Sequence, residues 1–301
     1  MYFCGWDGGA SSTKACVLSP RGEETEAFEM GPLNPNGAAK ETVRQSVADG
    51  VARMRQLPEG LEGCGGLVIG IAGVSNESAA QLVRDAVRAC GYLGPLRLMG
   101  DQEIALAGAI DGPGAILIAG TGSVCFGRDG EGRPFRTGGF GYLIDDGGSG
   151  YAVGRDILSA AVRASDGRGE KTALTELVFS KLGISGIPGL VTWLYSPGTG
   201  KREVASLAPL LLQAIRMNDH TACQIALRAG DDLAELVLCA WKTAGMTGGE
   251  LALFGSILTY YPEIRSRLLD RLQSSLPSLT IVAPRRTAAR GAADLARAQF
   301  S

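Results

Sequence analysis

Residues 137–151 read TGGFGYLIDDGGSGY and form the most distinctive segment of the sequence. The segment combines six glycines, two adjacent carboxylates and two tyrosines, and an apolar pattern of helical period follows it. Glycine at this density costs backbone entropy on folding, so the chain must need positive φ angles or a close backbone approach. Two acids in such a loop indicate a binding site; a mobile surface loop is the competing interpretation.

Two strand–turn–strand patterns flank the helices of the first third of the chain, and both turns are rich in glycine and hydroxyl residues. The first turn, residues 7–12, reads DGGASS, and the second, residues 120–123, reads GTGS. Backbone N–H groups in such turns can converge on an anion, with hydroxyls as further donors. Two turns of this kind predict that a polyphosphate is held at both ends. Asp7 is suited to hold Mg²⁺ through water, because Mg²⁺ prefers oxygen ligands and keeps much of its hydration shell.

The remaining pattern alternates strands and helices. We predict strands at about 67–72, 96–99, 251–254 and 280–283, helices at about 38–56, 77–90, 102–110 and 287–299, and a mainly helical stretch from about 150. A tight turn is predicted at residues 34–37. The two hairpins open two α/β halves, which predicts a duplicated domain with a cleft between the copies.

Asp101 follows a short predicted strand and precedes a helix. Ligands of α/β sheets usually bind at the carboxyl ends of strands, so Asp101 is a candidate for accepting a proton from a substrate hydroxyl during phosphoryl transfer. The alternative is a helix N-cap, since Asp is favoured there and Glu103 lies in the first turn. Gly255-Ser256 likewise reads either as a helix start beside an adenine and ribose or as an ordinary strand–helix turn.

Composition limits the function classes. A formal net charge of −2 over 301 residues argues against non-specific binding to nucleic acid or anionic membranes. No apolar run approaches the ~20 residues of a membrane span, and the N-terminus lacks the features of a signal peptide, so we expect a cytoplasmic protein.

The cysteines and the histidine limit the chemistry. Seven cysteines are scattered singly, which predicts reduced, mostly buried thiols and no structural zinc site. The single histidine, His220, lies in a polar break between two helical patterns and is predicted to be a solvated residue at a helix start. Acid–base chemistry at neutral pH therefore falls to His220 or to a carboxylate.

In sequence, these motifs resemble the N-acetylglucosamine kinases and the related BadF/BadG/BcrA/BcrD ATPase family, within the actin/hexokinase/Hsp70 superfamily. The resemblance covers nearly the whole chain, and its most specific parts are the GTGS block and the GGFG…DDGGSG block. The motifs that carry it are Asp7-Gly8-Gly9, Asn34, Gly70-Ile71-Ala72-Gly73, Gly100-Asp101, residues 120–123, residues 138–141, residues 145–150, Phe254-Gly255-Ser256 and Gly291-Ala292-Ala293.

The resemblance implies an α/β fold of two actin-like (ribonuclease H-like) domains with an interdomain cleft that holds ATP and a sugar and closes on the sugar. The domains are expected at residues 1–112, joined by the C-terminal helix 287–301, and at residues 113–286. The implied activity is that of an ATP- and Mg²⁺-dependent amino-sugar kinase, which transfers the γ-phosphoryl group to a hydroxyl of N-acetylglucosamine or a related amino sugar. A homodimer is the family-like expectation.

The family motifs also imply roles for individual residues. Asp101 matches the catalytic base, and Asp7 the metal-binding residue. The implied sugar ligands are Asn34, Gly100, Phe140, Gly141 and Asp146. The implied nucleotide ligands are Asp7, Gly8, Gly9, Ser11, Ser12, Gly120, Thr121, Gly122, Ser123, Ala214, Gly255 and Ser256.

Two departures from the family pattern affect these expectations. Family members usually read DGGGTKT in the first turn, and here Ala10, Ser11 and Ser12 replace Gly, Thr and Lys, so a basic residue is expected to be missing. Phe140 stands where eukaryotic members have a tryptophan near the acetamido group, which leaves the preference for that group open.

Two other functions remain as alternatives. One is an ATPase that activates a radical dehydratase through an iron–sulfur cluster, although Cys125, in a strand just after the second turn, does not look like a cluster ligand. The other is a non-catalytic sugar sensor on a kinase fold, against which the presence of Asp7, Asp101 and Asp146 argues.

Overall fold

The computed structural model describes residues 1–34, 38–74 and 76–301, so most of the tight turn predicted at 34–37 lies outside the described residues. The chain divides into two compact units. Unit 1 consists of Met1–Asp111 together with Ala283–Ser301, and unit 2 is the continuous segment Gly112–Val282.

The elements of the described residues follow one another along the chain as a mixture of strands and helices. The strands are β1 (Tyr2–Gly8), β2 (Thr13–Leu18), β3 (Glu24–Met30), β4 (Cys64–Ile71), β5 (Leu96–Gly100), β6 (Gly114–Ala119), β7 (Ser123–Arg128), β8 (Pro134–Gly138), β9 (Gly248–Phe254) and β10 (Ser278–Val282). The helices are α1 (Lys40–Gln56), α2 (Glu77–Ala89), α3 (Asp101–Ala109), α4 (Gly150–Ser165), α5 (Leu174–Leu182), α6 (Gly186–Leu194), α7 (Lys201–Ala205), α8 (Pro209–Arg216), α9 (His220–Thr243), α10 (Ser256–Tyr260), α11 (Pro262–Ser275) and α12 (Ala288–Phe300).

Unit 1 is built on a five-stranded sheet of order β3-β2-β1-β4-β5. Strand β1 is antiparallel to β2 and parallel to β4, and β5 continues the parallel part. The buried face of α1, which includes Val43 and Val47, shares a core with Trp6 of β1. Helix α12 lies directly against β1: a Cβ at Gly5 would be 2.1 Å from the backbone nitrogen of Ala293. Position 5 therefore requires glycine so that strand and helix can approach.

Unit 2 repeats this arrangement. Its sheet has the order β10-β9-β6-β7-β8, in which β6 is antiparallel to β7 and parallel to β9. Its core gathers α4, α8, α9 and α11 around β6, with Trp241 of α9 fully buried. The shared strand order confirms the predicted duplication of an α/β domain.

Strand β3 is an element that the sequence analysis missed. It pairs with β2 along the edge of the unit 1 sheet, and only Phe28 and Met30 of its residues are buried. Its acidic, largely exposed sequence hides the strand pattern, although charged residues are a usual protection of sheet edges against unwanted pairing.

The cysteines follow the prediction of mostly buried thiols. Cys4, Cys16, Cys64 and Cys125 are buried, and Cys90 and Cys223 are half-buried. Cys239 is the exposed exception.

Within the described residues, no single helix is both long enough and apolar enough to cross a membrane. One bent pair, Leu174–Leu182 with Gly186–Leu194, passes that test by length and composition alone.

Candidate active site

The carboxyl edge of the parallel strands in unit 1 collects several of the sequence motifs. The register places Asp7 of β1 opposite Gly70 of β4, and Ile71 of β4 opposite Gly100 of β5. Burial and the negative charge of Asp101 raise the pKa of Asp7 above its usual value of 3.8. The two carboxylates are thus electrostatic neighbours at the edge where α/β sheets bind ligands.

Asp101 is the first residue of α3, and the N-cap position belongs to Gly100. The side chain of Glu103 provides the capping contact, since its Oε1 accepts from the Gly100 N–H at 2.9 Å. Asp101 is exposed, and its Oδ1 accepts from the Gln102 N–H at 2.9 Å. The interpretation of Asp101 as a helix cap is therefore wrong, and its carboxylate stands at the surface of this edge. Gly100, expected to contact the sugar, is buried with its N–H engaged by Glu103.

The first glycine turn is hydrogen-bonded to Asn34. The turn is closed by a hydrogen bond from the Gly9 N–H to the Ser12 carbonyl at 3.1 Å. The Gly9 carbonyl accepts from the N–H groups of Leu33 and Asn34 at 3.2 and 3.3 Å. Ser11 is exposed and Ser12 half-buried in this turn, so both hydroxyls remain at the surface. The predicted phosphate turn and the predicted sugar ligand Asn34 are thus neighbours in unit 1.

Lys14 places a positive charge beside this turn. It is directly opposite Asp7 in the β1–β2 ladder, so both side chains lie on the same face of the sheet. Its charge lowers the pKa of Asp7, against the two effects that raise it. Ser12 thus lacks the charge of the family lysine, and the hairpin register brings a different lysine, two residues later, to the same turn.

The second glycine turn is fastened to the start of α4. The Gly120 N–H donates to the Gly122 carbonyl at 2.9 Å, and the Gly120 carbonyl accepts from Gly150 N–H at 2.7 Å. The Thr121 carbonyl accepts from Tyr151 N–H at 3.3 Å. Because α4 begins at Gly150, its N-terminal end, which favours anions, is fixed beside the turn.

Gly255 joins a third segment to this turn. Its φ is 97°, and a Cβ there would be 2.2 Å from the carbonyl oxygen of Ala119. Only glycine can adopt this backbone and approach so closely. The consequence is that Ser256, at the start of α10, lies next to Gly120.

A cavity of about 430 Å³ opens between these segments of unit 2. Its wall combines the polar second turn with an apolar and aromatic side, as a nucleoside with attached phosphates requires. The residues that line it are Gly120, Thr121, Gly150, Arg202, Ala205, Ser206, Ala208, Pro209, Leu212, Ser256, Ile257, Tyr260 and Tyr261.

Ala214, expected near the nucleotide base, does not line this cavity. It has no exposed surface and belongs to the core of unit 2, so it is not available to a ligand. Pro209 and Leu212 are the residues of the same helix that reach the cavity, and Ala205 and Ala208 are the alanines that line it. A sequence pattern does not distinguish these alanines from Ala214, because all three lie in one stretch predicted to be helical.

Asp146 is buried behind the second turn. Its side chain is 3% exposed, and its φ of 66° is unusual for a residue other than glycine. Its Oδ1 accepts from the Ser123 N–H at 3.2 Å, and its Oδ2 from the Lys201 ammonium at 2.8 Å. The Ser123 hydroxyl donates to the Gly147 carbonyl at 2.7 Å, so Ser123 faces into the fold and Thr121 carries the exposed hydroxyl of the turn.

The GGFG segment forms a separate, self-contained loop. Phe140 N–H donates to Asp145 Oδ2 at 2.9 Å, and Asp145 N–H donates to the Gly141 carbonyl at 2.8 Å. The Arg136 guanidinium binds the Gly138 carbonyl at 2.9 Å and lies 5.0 Å from the centre of the Phe140 ring. Phe140 is 67% exposed.

Beside this loop lies a second cavity in unit 2, of about 650 Å³. Phe140 lines it, whereas Asp146 does not. The expected sugar ligands of unit 2 are thus found at two places, Phe140 at this cavity and Asp146 behind the phosphate turn.

His220 is the first residue of α9, 66% exposed, with its Nδ1 2.9 Å from Glu170 Oε2. This confirms the predicted solvated helix start. Of the two kinds of acid–base candidate, the carboxylate of Asp101 lies exposed at the carboxyl edge of the unit 1 sheet.

Comparison with known proteins now decides the family. The sequence profile of the BadF/BadG/BcrA/BcrD ATPase family matches residues 4–296. The chain belongs to this family. A curated relative, the N-acetylmuramic acid/N-acetylglucosamine kinase of Clostridium acetobutylicum, is 31% identical over 302 residues, which is 99% of both chains. The N-acetyl-D-glucosamine kinase of Dictyostelium discoideum is 28% identical over 256 residues, 81% of this chain and 80% of the relative.

Solved structures of similar proteins agree with membership of the BadF/BadG/BcrA/BcrD family. A candidate N-acetylglucosamine kinase from Chromobacterium violaceum superposes with a TM-score of 0.77 at 26% identity, covering 98% of each chain. A ROK family glucokinase from Streptomyces griseus, in complex with glucose and AMPPNP, has a TM-score of 0.55 at 16% identity over 99% of this chain and 100% of its own. The chain therefore has the two-domain actin-like fold that the resemblance implied.

Proposed function

We propose that this protein is an ATP-dependent amino-sugar kinase that transfers the γ-phosphoryl group of ATP to a hydroxyl of N-acetylglucosamine or a related amino sugar. The observation that carries the assignment is the exposed carboxylate of Asp101 beside Asp7 and the first glycine turn, in a chain whose curated relatives are amino-sugar kinases.

Asp101 acts as the general base. Its carboxylate accepts the proton of the sugar hydroxyl while the hydroxyl oxygen forms a bond to the γ-phosphorus. The bond between the γ-phosphorus and the β–γ bridging oxygen breaks, and ADP leaves with that electron pair. In phosphoryl transfer the protein mainly positions the reactants and stabilises charge, so a correctly placed carboxylate suffices as the base.

The nucleotide is assigned to the second turn and its cavity. The exposed Thr121 hydroxyl and the positive end of the α4 dipole suit the phosphates, whereas the N–H groups of Gly120, Gly150 and Tyr151 already donate to backbone carbonyls. Tyr260 and Leu212 offer apolar surface to the base. Unit 1 contributes the first turn, in which Ser11 and Ser12 keep their hydroxyls accessible and Lys14 supplies a positive charge.

Asp7 is the residue that would hold Mg²⁺. The described residues contain no group of three or more His, Cys, Asp or Glu side chains arranged to hold a metal ion, so they form no complete metal cage. That donor set fits Mg²⁺, which takes one or two carboxylates and completes its shell with water and substrate phosphates. Burial and the negative charge of Asp101 raise the pKa of Asp7, and the Asp101 charge also attracts a cation to this carboxylate. When bound, the ion would neutralise charge on the phosphate oxygens.

The family motifs assign the sugar to Asn34, Asp101, Phe140, Gly141 and Asp146. The exposed ring of Phe140 suits the apolar face of a sugar or its N-acyl group. Asp146 is held by Ser123 and Lys201, so it meets a sugar hydroxyl only if one of these contacts is shared or exchanged.

The activator-ATPase alternative has less support. Cys125 is fully buried in β7, where it cannot ligate a cluster at a subunit surface. The sensor alternative would not need an exposed carboxylate beside Asp7 and Lys14.

We further propose that the enzyme works as a cytoplasmic homodimer. All seven cysteines are free, which fits a reducing compartment. Light scattering on the eluting peak of a gel-filtration column tests the dimer, and a monomeric mass would refute it.

The deciding experiment is a coupled ADP-release assay with N-acetylglucosamine, N-acetylmuramic acid, glucosamine and glucose. We expect release that depends on an amino sugar, with glucose the poorest acceptor. Release that no sugar stimulates would overturn the kinase assignment. Iron and sulfide analysis of anaerobically purified protein would then separate the activator ATPase from the sensor.

A further inference from the structure

Lys201 is a cation at the second turn that the sequence motifs do not reveal. It begins α7, well separated in sequence from residues 120–123. Its Nζ is 2.8 Å from Asp146 Oδ2, and its side chain is 30% exposed against 3% for Asp146. The ammonium group therefore lies at the boundary between the buried carboxylate and the surface.

The position of Gly122 shows how near this ammonium lies to the turn. A Cβ at Gly122 would be 2.9 Å from Lys201 Nζ and 2.9 Å from each Asp146 oxygen. The ion pair occupies the space that any larger residue at 122 would need. The same short helix supplies Arg202 and Ala205 to the wall of the 430 Å³ cavity.

Electrostatics explain why a cation is needed at this place. A polyphosphate at the second turn would stand beside the Asp146 carboxylate, and the two negatively charged groups would repel each other. Lys201 offsets the charge of Asp146. An ammonium group has three N–H donors, and the contact with Asp146 uses one of them, so Lys201 can bind Asp146 and a phosphate oxygen together.

The geometry points to Lys201 as a ligand of the terminal phosphates of the nucleotide, with Asp146 as the residue that positions it. This inference deepens the proposed kinase function and rests on it for the identity of the nucleotide. Asp146 holds the ammonium group on its buried side. Gly122 has no side chain, so the side of the ammonium group that faces the turn stays accessible to a phosphate. Because Asp146 is also an expected sugar ligand, the ion pair joins the nucleotide end of the site to the sugar end within unit 2.

The test compares binding of ATP and adenosine to the full-length protein by calorimetry without sugar. We expect Lys201→Met to weaken ATP binding about 10- to 100-fold, the scale of a lost charge-assisted hydrogen bond, and to leave adenosine binding unchanged. Lys201→Arg keeps the charge and should restore most of the affinity. Lys181→Met removes an equally charged, exposed side chain from α5 and should match the wild type for both ligands.

Two results would overturn the inference. One is wild-type ATP affinity in Lys201→Met. The other is an equal loss of ATP and adenosine affinity, which would mean that the substitution displaces α7 and reshapes the cavity. Because nucleotide binding is measured without sugar, these outcomes are distinct from a failure of the proposed kinase function, which would appear as sugar-independent ADP release by the wild type.

Discussion

The two glycine turns occupy the same place in two copies of one fold and obtain their charges in different ways. Each turn joins the first two strands of a five-stranded sheet with the same strand order. In unit 1 the charged residues Asp7 and Lys14 lie on the flanking strands, facing each other across the ladder. In unit 2 the flanking positions Ala119 and Ser123 are uncharged.

The second turn receives its charges from distant segments. Asp146 lies in the glycine-rich loop before α4, and Lys201 is the first residue of α7. The difference separates the tasks of the two turns. In the proposed kinase the first turn, beside Asp101, acts with the metal and the proton acceptor, so we expect changes there to reduce turnover. The second borders the cavity proposed for the nucleotide, so we expect changes there to reduce nucleotide binding.

The largest effect is expected at the carboxyl edge of unit 1. Asp101→Asn should lower kcat by about two to four orders of magnitude, because the hydroxyl proton loses its acceptor. Steady-state kinetics would measure this loss, while sugar affinity by calorimetry should change little. Asp85→Asn, an exposed acid of α2, is the control. Turnover close to wild type in Asp101→Asn would show that Asp101 is not the general base and would contradict the role proposed for the first turn.

Asp7→Asn should give the next largest effect. We expect kcat to fall about 10- to 100-fold and the Mg²⁺ concentration for half-maximal activity to rise, as when a carboxylate near a metal is removed. A Mg²⁺ titration of activity at saturating ATP measures both, with Asp49→Asn on α1 as the control. An unchanged Mg²⁺ requirement would contradict the assignment of the metal to the first turn.

In unit 2, Gly122→Ala should act on binding. The added Cβ forces the Asp146–Lys201 pair to move, since it would be 2.9 Å from the atoms of both. The KM for ATP should rise about tenfold, and the KM for the sugar much less. Gly130→Ala adds a methyl group in open space in the β7–β8 turn and serves as the control. Equal increases in both KM values would indicate a general disturbance of unit 2 instead.

The smallest effect is expected for Lys14→Met. Lys14 is exposed, so solvent screens its charge, and the KM for ATP should rise only about threefold to tenfold. Lys40→Met, at the start of α1, controls for the lost charge. A loss of ATP affinity as large as that of Lys201→Met would show that the two turns bind the phosphates equally strongly. It would contradict the different roles proposed for the two turns.

The fold could be predicted from the sequence because its signals are local. The apolar runs of β4 and β6, the helical period of α1 and the glycine turns each determine an element without help from distant residues. Strand β3 could not be recognised, since its charged side chains face solvent at a sheet edge and only the pairing with β2 defines it. The exposure of Cys239 could not be predicted for a related reason: it depends on which face of α9 meets the core.

The site could be predicted only where its residues belong to contiguous motifs. Asp7, Asp101 and the second turn lie in such motifs, and the structure places them at the carboxyl edge of unit 1 and at the nucleotide-sized cavity of unit 2. Lys14 required knowledge of the hairpin register, and Lys201 a contact with a residue 55 positions earlier. The choice between Ala205 and Ala214 required the orientation of two helices, which no local pattern contains.

The order in which the chain passes through the two units has a consequence for folding during synthesis. Unit 2 is one uninterrupted segment, whereas unit 1 includes α12 from the last part of the chain, and α12 covers β1 at Gly5. As the polypeptide leaves the ribosome, unit 2 has all of its residues before unit 1 does. The part of unit 1 up to Asp111 therefore lacks the helix that covers β1 until α12 has been synthesised. Domains generally fold as units during synthesis, so the second half of this protein is expected to reach its native state before the first.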